Sequence, residues 1–184
     1  MALAVAYTPM LHITLLTPHA ETPTYLLTCG HTWHRTVVDP THPATVQDAL
    51  GNNKPDLILL TAATELTLSS AEILHHRTGA PILAGATLHD TALPIARYLE
   101  DGDIVGLGPL AQTIHIPEGD IMCYALGSEG AILTGPLFAS GLAEHKANRK
   151  AIEKLKTLPD HTMVYGGGAI EQPLITLLHA AHAS

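Results

Sequence analysis

Residues 36–60 read TVVDPTHPATVQDALGNNKPDLILL. The β-rich run 36–39 stops at Pro40, residues 44–50 fit a short helix closed by Gly51-Asn52-Asn53, and 56–60 are Asp56 followed by an unbroken apolar run of four. Such a run suits a strand buried on both faces. Strand, helix and strand follow one another here, and the chain turns at this point to alternating α and β.

Upstream, residues 11–16 and 24–28 read as strands joined by the turn between Pro18 and Pro23, so that with 36–39 they form an antiparallel meander. Downstream, Ser69-Ser70 caps a helix over 71–77 that ends at Gly79, and 81–84 is the next strand. Residues 87–99 read as a helix that Pro94 must kink or delay. The acidic stretch 100–103 closes a first half.

From 104 onward the expected strands are 104–107, 113–116, 121–126 and 131–137, the last two joined by the 127–130 turn. A helix over 142–158 stops at Pro159, a strand over 162–165 runs into Gly166-Gly167-Gly168, and 170–181 reads as an apolar helix. These elements predict the α/β class, with a mixed sheet of three antiparallel strands followed by alternating α and β. The two halves, 1–103 and 104–184, are expected to share one compact unit. Aromatic residues are only 4% of the chain, with one Phe and one Trp, so the core must be aliphatic.

The order of three antiparallel strands followed by αβαβα resembles the ribonuclease H-like half of the sugar-kinase, actin and heat-shock ATPase group. On that resemblance, the strand into Gly166-Gly167-Gly168 is similar to their last nucleotide-contacting segment. Thr134-Gly135-Pro136 and Gly166-Gly167-Gly168-Ala169 also resemble the closing pieces of the phosphoglycerate kinases, without the Asp that follows the glycines there.

Composition narrows the classes further. Nine Lys and Arg against 17 Asp and Glu give a net charge of −8, which disfavours nucleic-acid backbone as a partner. Cys29 and Cys123 are too few and too far apart for a disulfide framework, so a reducing cytoplasm is the expected location. The apolar N-terminus has no Lys or Arg before its apolar run and reads as a strand rather than a leader. No uninterrupted apolar window is long enough for a membrane helix.

Four constellations could carry chemistry. Gly166, Gly167 and Gly168, with Gly135, would let backbone N–H groups approach an anion at a strand-to-helix junction; glycines also sit at such junctions for close packing. Lys146, Arg149, Lys150, Lys154 and Lys156 are five of the nine cationic residues, and Lys146, Lys150 and Lys154 share a helical face that could hold a phosphate, an acidic cosubstrate or an acidic partner, or simply be solvated. Cys29-Gly-His31-Thr-Trp-His34 offers a thiolate and two imidazoles to a metal, although 13 histidines in the chain make surface histidines the plainer account. His89-Asp90, beyond an expected strand end, is the candidate acid–base pair; the same two residues could merely open a helix.

The leading expectation is therefore a protein that binds a phosphate-bearing small molecule or nucleotide, as a phosphotransferase or a degenerate kinase-like subunit. Mg would accompany a nucleotide there. The alternatives are a non-catalytic interaction or regulatory subunit, with a protein partner or a second copy of itself, and a metal-binding protein using Cys29, His31 and His34. No membrane partner is expected.

Overall fold

The computed structural model describes residues 11–18, 21–139, 149–167 and 169–176. Their elements run β1 (Leu11–Leu15), β2 (Tyr25–Cys29), β3 (Arg35–Val38), α1 (Pro43–Leu50), β4 (Leu57–Leu59), α2 (Glu65–Thr78), β5 (Ile82–Gly85) and β6 (Ile95–Leu99). They continue with β7 (Ile104–Gly106), β8 (Leu110–Ile116), β9 (Ile121–Leu126), β10 (Ala131–Gly135), α3 (Arg149–Leu155), β11 (Met163–Gly166) and β12 (Ala169–Pro173).

These strands make two mixed six-stranded sheets, β1-β2-β3-β4-β5-β6 and β12-β11-β10-β9-β8-β7. In the first, β1, β2 and β3 pair antiparallel as expected, and β3 through β6 pair parallel. In the second, β7 through β10 pair antiparallel, β10 and β11 parallel, and β11 and β12 antiparallel. The expected single mixed sheet is thus replaced by two, and the ribonuclease H-like order is not found.

Side-chain alternation explains the layering, because successive residues of a strand point to opposite faces. In β9 all six residues are buried. Met122, Tyr124 and Leu126 enter the core shared with Leu59, Leu99 and Tyr25 of the first sheet, while Ile121, Cys123 and Ala125 pack under Ala151 and Leu155 of α3. Likewise Leu57 and Leu59 of β4 face the second sheet, and Ile58 and Leu60 face Val46 and Leu50 of α1 and Leu74 of α2. The outcome is an α/β/β/α sandwich in which each sheet is covered on both sides.

Three expected helices change. α2 begins at Glu65 rather than 71, because Thr64 and Thr67 cap it reciprocally: the Thr64 hydroxyl accepts from the Thr67 N–H and the Thr67 hydroxyl from the Thr64 N–H. Ser69 and Ser70 lie inside the helix, where Ser69 donates to the Glu65 carbonyl. The helix read over 87–99 is a 3-10 turn, Ala86–Asp90, followed by strand β6, since Pro94 disfavours helix at its own position and before it. The chain after the glycine run first returns as β12, so the helix expected from 170 is displaced: 174–176 are helical, and 177–181 lie outside the described residues. Of the helix read over 142–158, α3 covers 149–155, and 142–148 lie outside the described residues.

Candidate functional site

The parallel pairs β3–β4 and β10–β11 bring their C-terminal ends to one edge of the sandwich. Open α/β sheets gather ligands at such ends. Immediately beyond β3, Asp39 adopts a left-handed φ of 46° and is buried. Its Oδ1 accepts the N–H of Thr61 at 2.7 Å and its Oδ2 the Thr61 hydroxyl at 2.5 Å. Its carbonyl accepts from the Thr24 hydroxyl, which is itself 2.9 Å from that of Thr41. Burial pushes the Asp39 carboxyl up to about 7, against the opposing pull of the two Thr61 bonds.

Thr61 also connects the sheets. Its carbonyl accepts the Met122 N–H at 2.7 Å, and a Cβ placed on Gly135 would overlap its hydroxyl oxygen. Beside this knot opens a cavity of about 510 Å³ lined by Glu21, Thr22, Thr41, His42, Thr64, Glu65 and Leu66. Thr41 and His42 come from the approach to α1, and Thr64, Glu65 and Leu66 from the start of α2. None of these seven was singled out by sequence reasoning. The signals available were an Asp-Pro step after a buried strand and the Thr64-x-x-Thr67 cap.

The glycine loop does reach this edge, but in a different role. A Cβ on Gly166 would overlap the Thr134 hydroxyl oxygen, and one on Gly167 the Glu21 carbonyl oxygen. The Gly167 N–H donates to the Gly135 carbonyl at 2.7 Å. These glycines permit close approach of backbone to backbone, and β12, not a helix N-terminus, follows them. The phosphate and nucleotide reading, and with it a transferase, is corrected: the packing consumes the loop that was to cradle an anion. Gly168 and Lys146 lie outside the described residues, and Lys150 is in α3.

The remaining candidates are scattered. His89 and Asp90 sit in the 3-10 turn after β5, where His89 is exposed with Nδ1 2.9 Å from the Ala86 carbonyl oxygen and does not line the cavity. Cys29, His31 and His34 occupy the β2–β3 hairpin, at the end of the sheet opposite Asp39. There Cys29 is buried against Gly108 and its sulfur accepts the Thr32 N–H, while His31 is exposed. Among the described residues no three His, Cys, Asp or Glu side chains form a group able to hold a metal ion, and this trio is no exception. Burial pushes the Cys123 thiol up to about 12, as suits a core residue.

No family profile matches the chain, and no curated protein matches it. Solved structures do. A metallo-beta-lactamase from Staphylococcus aureus subsp. aureus COL superposes with a TM-score of 0.73 at 17% identity over 95% of this chain. The chain spans 64% of the length of that protein. The BLEG-1 B3 metallo-beta-lactamase gives 0.72 at 16% identity, covering 92% of this chain and 97% of its own. The chemotaxis sensor ODP, solved as a peroxy diiron species, gives 0.75 at 14% identity over 98% of this chain and 94% of its own. The fold is therefore that of the metallo-beta-lactamase-like α/β sandwiches.

Two of these neighbours are named metallo-beta-lactamases and the third was solved as a diiron species, so the donor set of this chain has to be tested against a metal. First-row metal sites are built from convergent imidazoles, thiolates and carboxylates. Here the loops at the sheet edge carry Thr61-Ala62-Ala63-Thr64 and Thr134-Gly135-Pro136, and the buried Asp39 has both carboxylate oxygens engaged by Thr61. Glu21, His42 and Glu65 stand around the cavity without forming a group that could hold one ion. The described residues do not fit the metal centre that the fold implies.

Proposed function

We propose that this chain is a non-catalytic binding or regulatory protein built on the metallo-beta-lactamase fold, taking a small molecule in the cavity between α1 and α2. The observation that carries the reading is the Asp39–Thr61 pair. An acidic residue beneath the cleft is closed on both oxygens by a threonine, which makes it a brace between two loops rather than a ligand or a base. The cavity volume of about 510 Å³ lies in the range of small-molecule sites. The two buried free cysteines support a reducing compartment, the cytoplasm, as its place of work. Among the described residues no helix is long and apolar enough to cross a membrane.

A second reading, a metal-dependent hydrolase, draws support from the metallo-beta-lactamase and diiron neighbours. One experiment separates the two. Protein produced without a tag in medium supplemented with zinc and iron is analysed for metal and assayed for β-lactam hydrolysis before and after chelation. The expected result is far less than one ion per chain and no chelator-sensitive turnover. One or more ions per chain, with turnover lost on chelation, would overturn the non-catalytic reading.

A further inference from the structure

The two sheets end in four edge strands, β1 and β6 in the first and β7 and β12 in the second. An exposed edge invites pairing with another chain, and proteins commonly guard it with polar or charged side chains, a proline or a bulge. β1 presents His12 and Thr14 to solvent, β6 presents Arg97, and β12 carries Pro173. β7 is Ile104-Val105-Gly106, with no such guard within it.

The bonds to β8 show which way its backbone groups point. The Thr113 N–H donates to the Asp103 carbonyl at 2.9 Å, and the Leu107 N–H donates to the Pro109 carbonyl at 2.8 Å. Alternate residues of an antiparallel strand bond to the same neighbour. Residues 103, 105 and 107 therefore face β8, and the N–H and C=O groups of Ile104 and Gly106 face away from it. Among the described residues these outward groups have one partner: Arg97 Nη1 donates to the Ile104 carbonyl at 3.3 Å, which leaves that oxygen a second lone pair.

The side chains carry a matching pattern. Ile104 stands opposite Gln112 and Gly106 opposite Leu110, all on the outer face, while Val105 and Ala111 point into the core between the sheets. Ile104 is 49% exposed and Leu110 67%. Beside Leu110 the surface has a notch at Gly106, where a Cβ would have nothing within 4 Å.

We propose that β7 is a self-association edge, through which two copies of this chain join their second sheets antiparallel about Val105. In that register Ile104 of each copy faces Gly106 of the other, and their outward N–H and C=O groups exchange four hydrogen bonds. Each Ile104 then fills the notch beside Leu110 of the other copy, a fit of large side chain to absent one that a foreign strand would not require. Neighbouring registers lose this match. Centring the pair on Ile104 sets Gly106 against Gly102, whose N–H already donates to the Thr113 carbonyl, and centring it on Gly106 sets Ile104 against Gly108, which turns away at φ 97°. The adjoining Asp103 is paired with Arg97 at 3.2 Å, so the net negative charge of the chain is compensated at this edge.

None of these residues lines the cavity, so the inference stands or falls apart from the proposed function. Full-length tag-free protein is followed by sedimentation equilibrium and by amide hydrogen exchange over a range of concentrations. The expected result is a mass that rises from one chain to two, with exchange at Ile104 and Gly106 slowed at least roughly tenfold in the dimer. Ile104→Lys should weaken association at least about tenfold. Adding Gly106→Glu, which sets a carboxylate opposite that lysine across the two copies, should restore most of it. Ile73→Lys, at a half-exposed position on α2, should associate as the parent does. A mass of one chain at every concentration, which would leave the edge to a foreign strand, would overturn the proposal. So would a dimer whose Ile104 and Gly106 amides exchange as in the monomer, equal weakening by Ile73→Lys, or no recovery in the double variant. The exchange measurement on the unaltered chain decides the matter if a variant does not fold.

Discussion

Asp39 and Thr61 are joined twice, the Thr61 N–H donating to Oδ1 at 2.7 Å and the Thr61 hydroxyl to Oδ2 at 2.5 Å. The pair ties the loop after β3 to the loop after β4, and the Thr61 carbonyl in turn holds the Met122 N–H of the opposite sheet. One buried acid thereby locks the edge of the sandwich where the cavity opens.

Because burial raises the Asp39 carboxyl to about 7 from an unfolded value near 4, the folded chain binds more protons than the unfolded one between those limits. Stability from this group therefore falls as pH rises from about 4 to about 7, by at most about 4 kcal/mol. Asp39→Asn keeps an acceptor for the Thr61 N–H, supplies a donor to the Thr61 hydroxyl and tolerates the left-handed φ. Urea unfolding at pH 5 and pH 8 should show the parent losing stability relative to the Asp39→Asn variant as pH rises. A stability difference between the two proteins that does not change with pH would refute this account.

Tyr124, fully buried, donates its hydroxyl to the Leu60 carbonyl at 2.7 Å and so crosses the space between the sheets. Tyr124→Phe leaves that carbonyl without this partner in a dry core. A loss of about 1–2 kcal/mol in denaturant unfolding is expected, with no change in secondary structure by circular dichroism. A variant as stable as the parent would mean that the bridge contributes nothing.

Two glycines with positive φ separate strain from collision. Gly79, at φ 76°, ends α2 with nothing within 4 Å of a notional Cβ, so Gly79→Ala should cost only about 1 kcal/mol. Gly135, at φ 53°, has the Thr61 hydroxyl oxygen where that Cβ would stand, and Gly135→Ala should cost clearly more, roughly 3 kcal/mol or above. Melting temperatures of the two variants measured side by side would contradict the packing account if they came out equal.

The reciprocal cap of α2 predicts that Thr64→Ala lowers stability by about 1 kcal/mol. Thr64→Ser, which keeps the hydroxyl, should restore most of it. Equal loss in both variants would show that the methyl group at the cavity wall, rather than the cap, was responsible.

Short-range chemistry accounts for what the sequence by itself determined. Apolar runs bounded by Gly and Pro placed β2, β3, β4 and β9 to within a residue or two, and the meander of β1, β2 and β3 followed from its short turns. The α/β class and the aliphatic core were equally readable from residue types. Where local signals competed, the reading failed: Pro94 inside an apolar stretch suggests a kinked helix but stands just before a strand, and Ser69-Ser70 outweighed the Thr64–Thr67 pair that caps α2.

What only the tertiary structure decided is which strands share a sheet and which side chains meet. A run such as 121–126 is buried on both faces whether its cover is a helix or another sheet, so its composition could not reveal that Tyr124 faces the first sheet and Cys123 faces α3. The same limit hid the site. Asp39, Thr61 and Gly135 are ordinary residues 22 positions or more apart, and their joint meaning arises only when parallel pairing brings the ends of β3, β4 and β10 to one edge. The glycine run showed the opposite error: glycines admit a ligand and a neighbouring backbone equally well, and here the Glu21 and Gly135 carbonyls came to occupy that space.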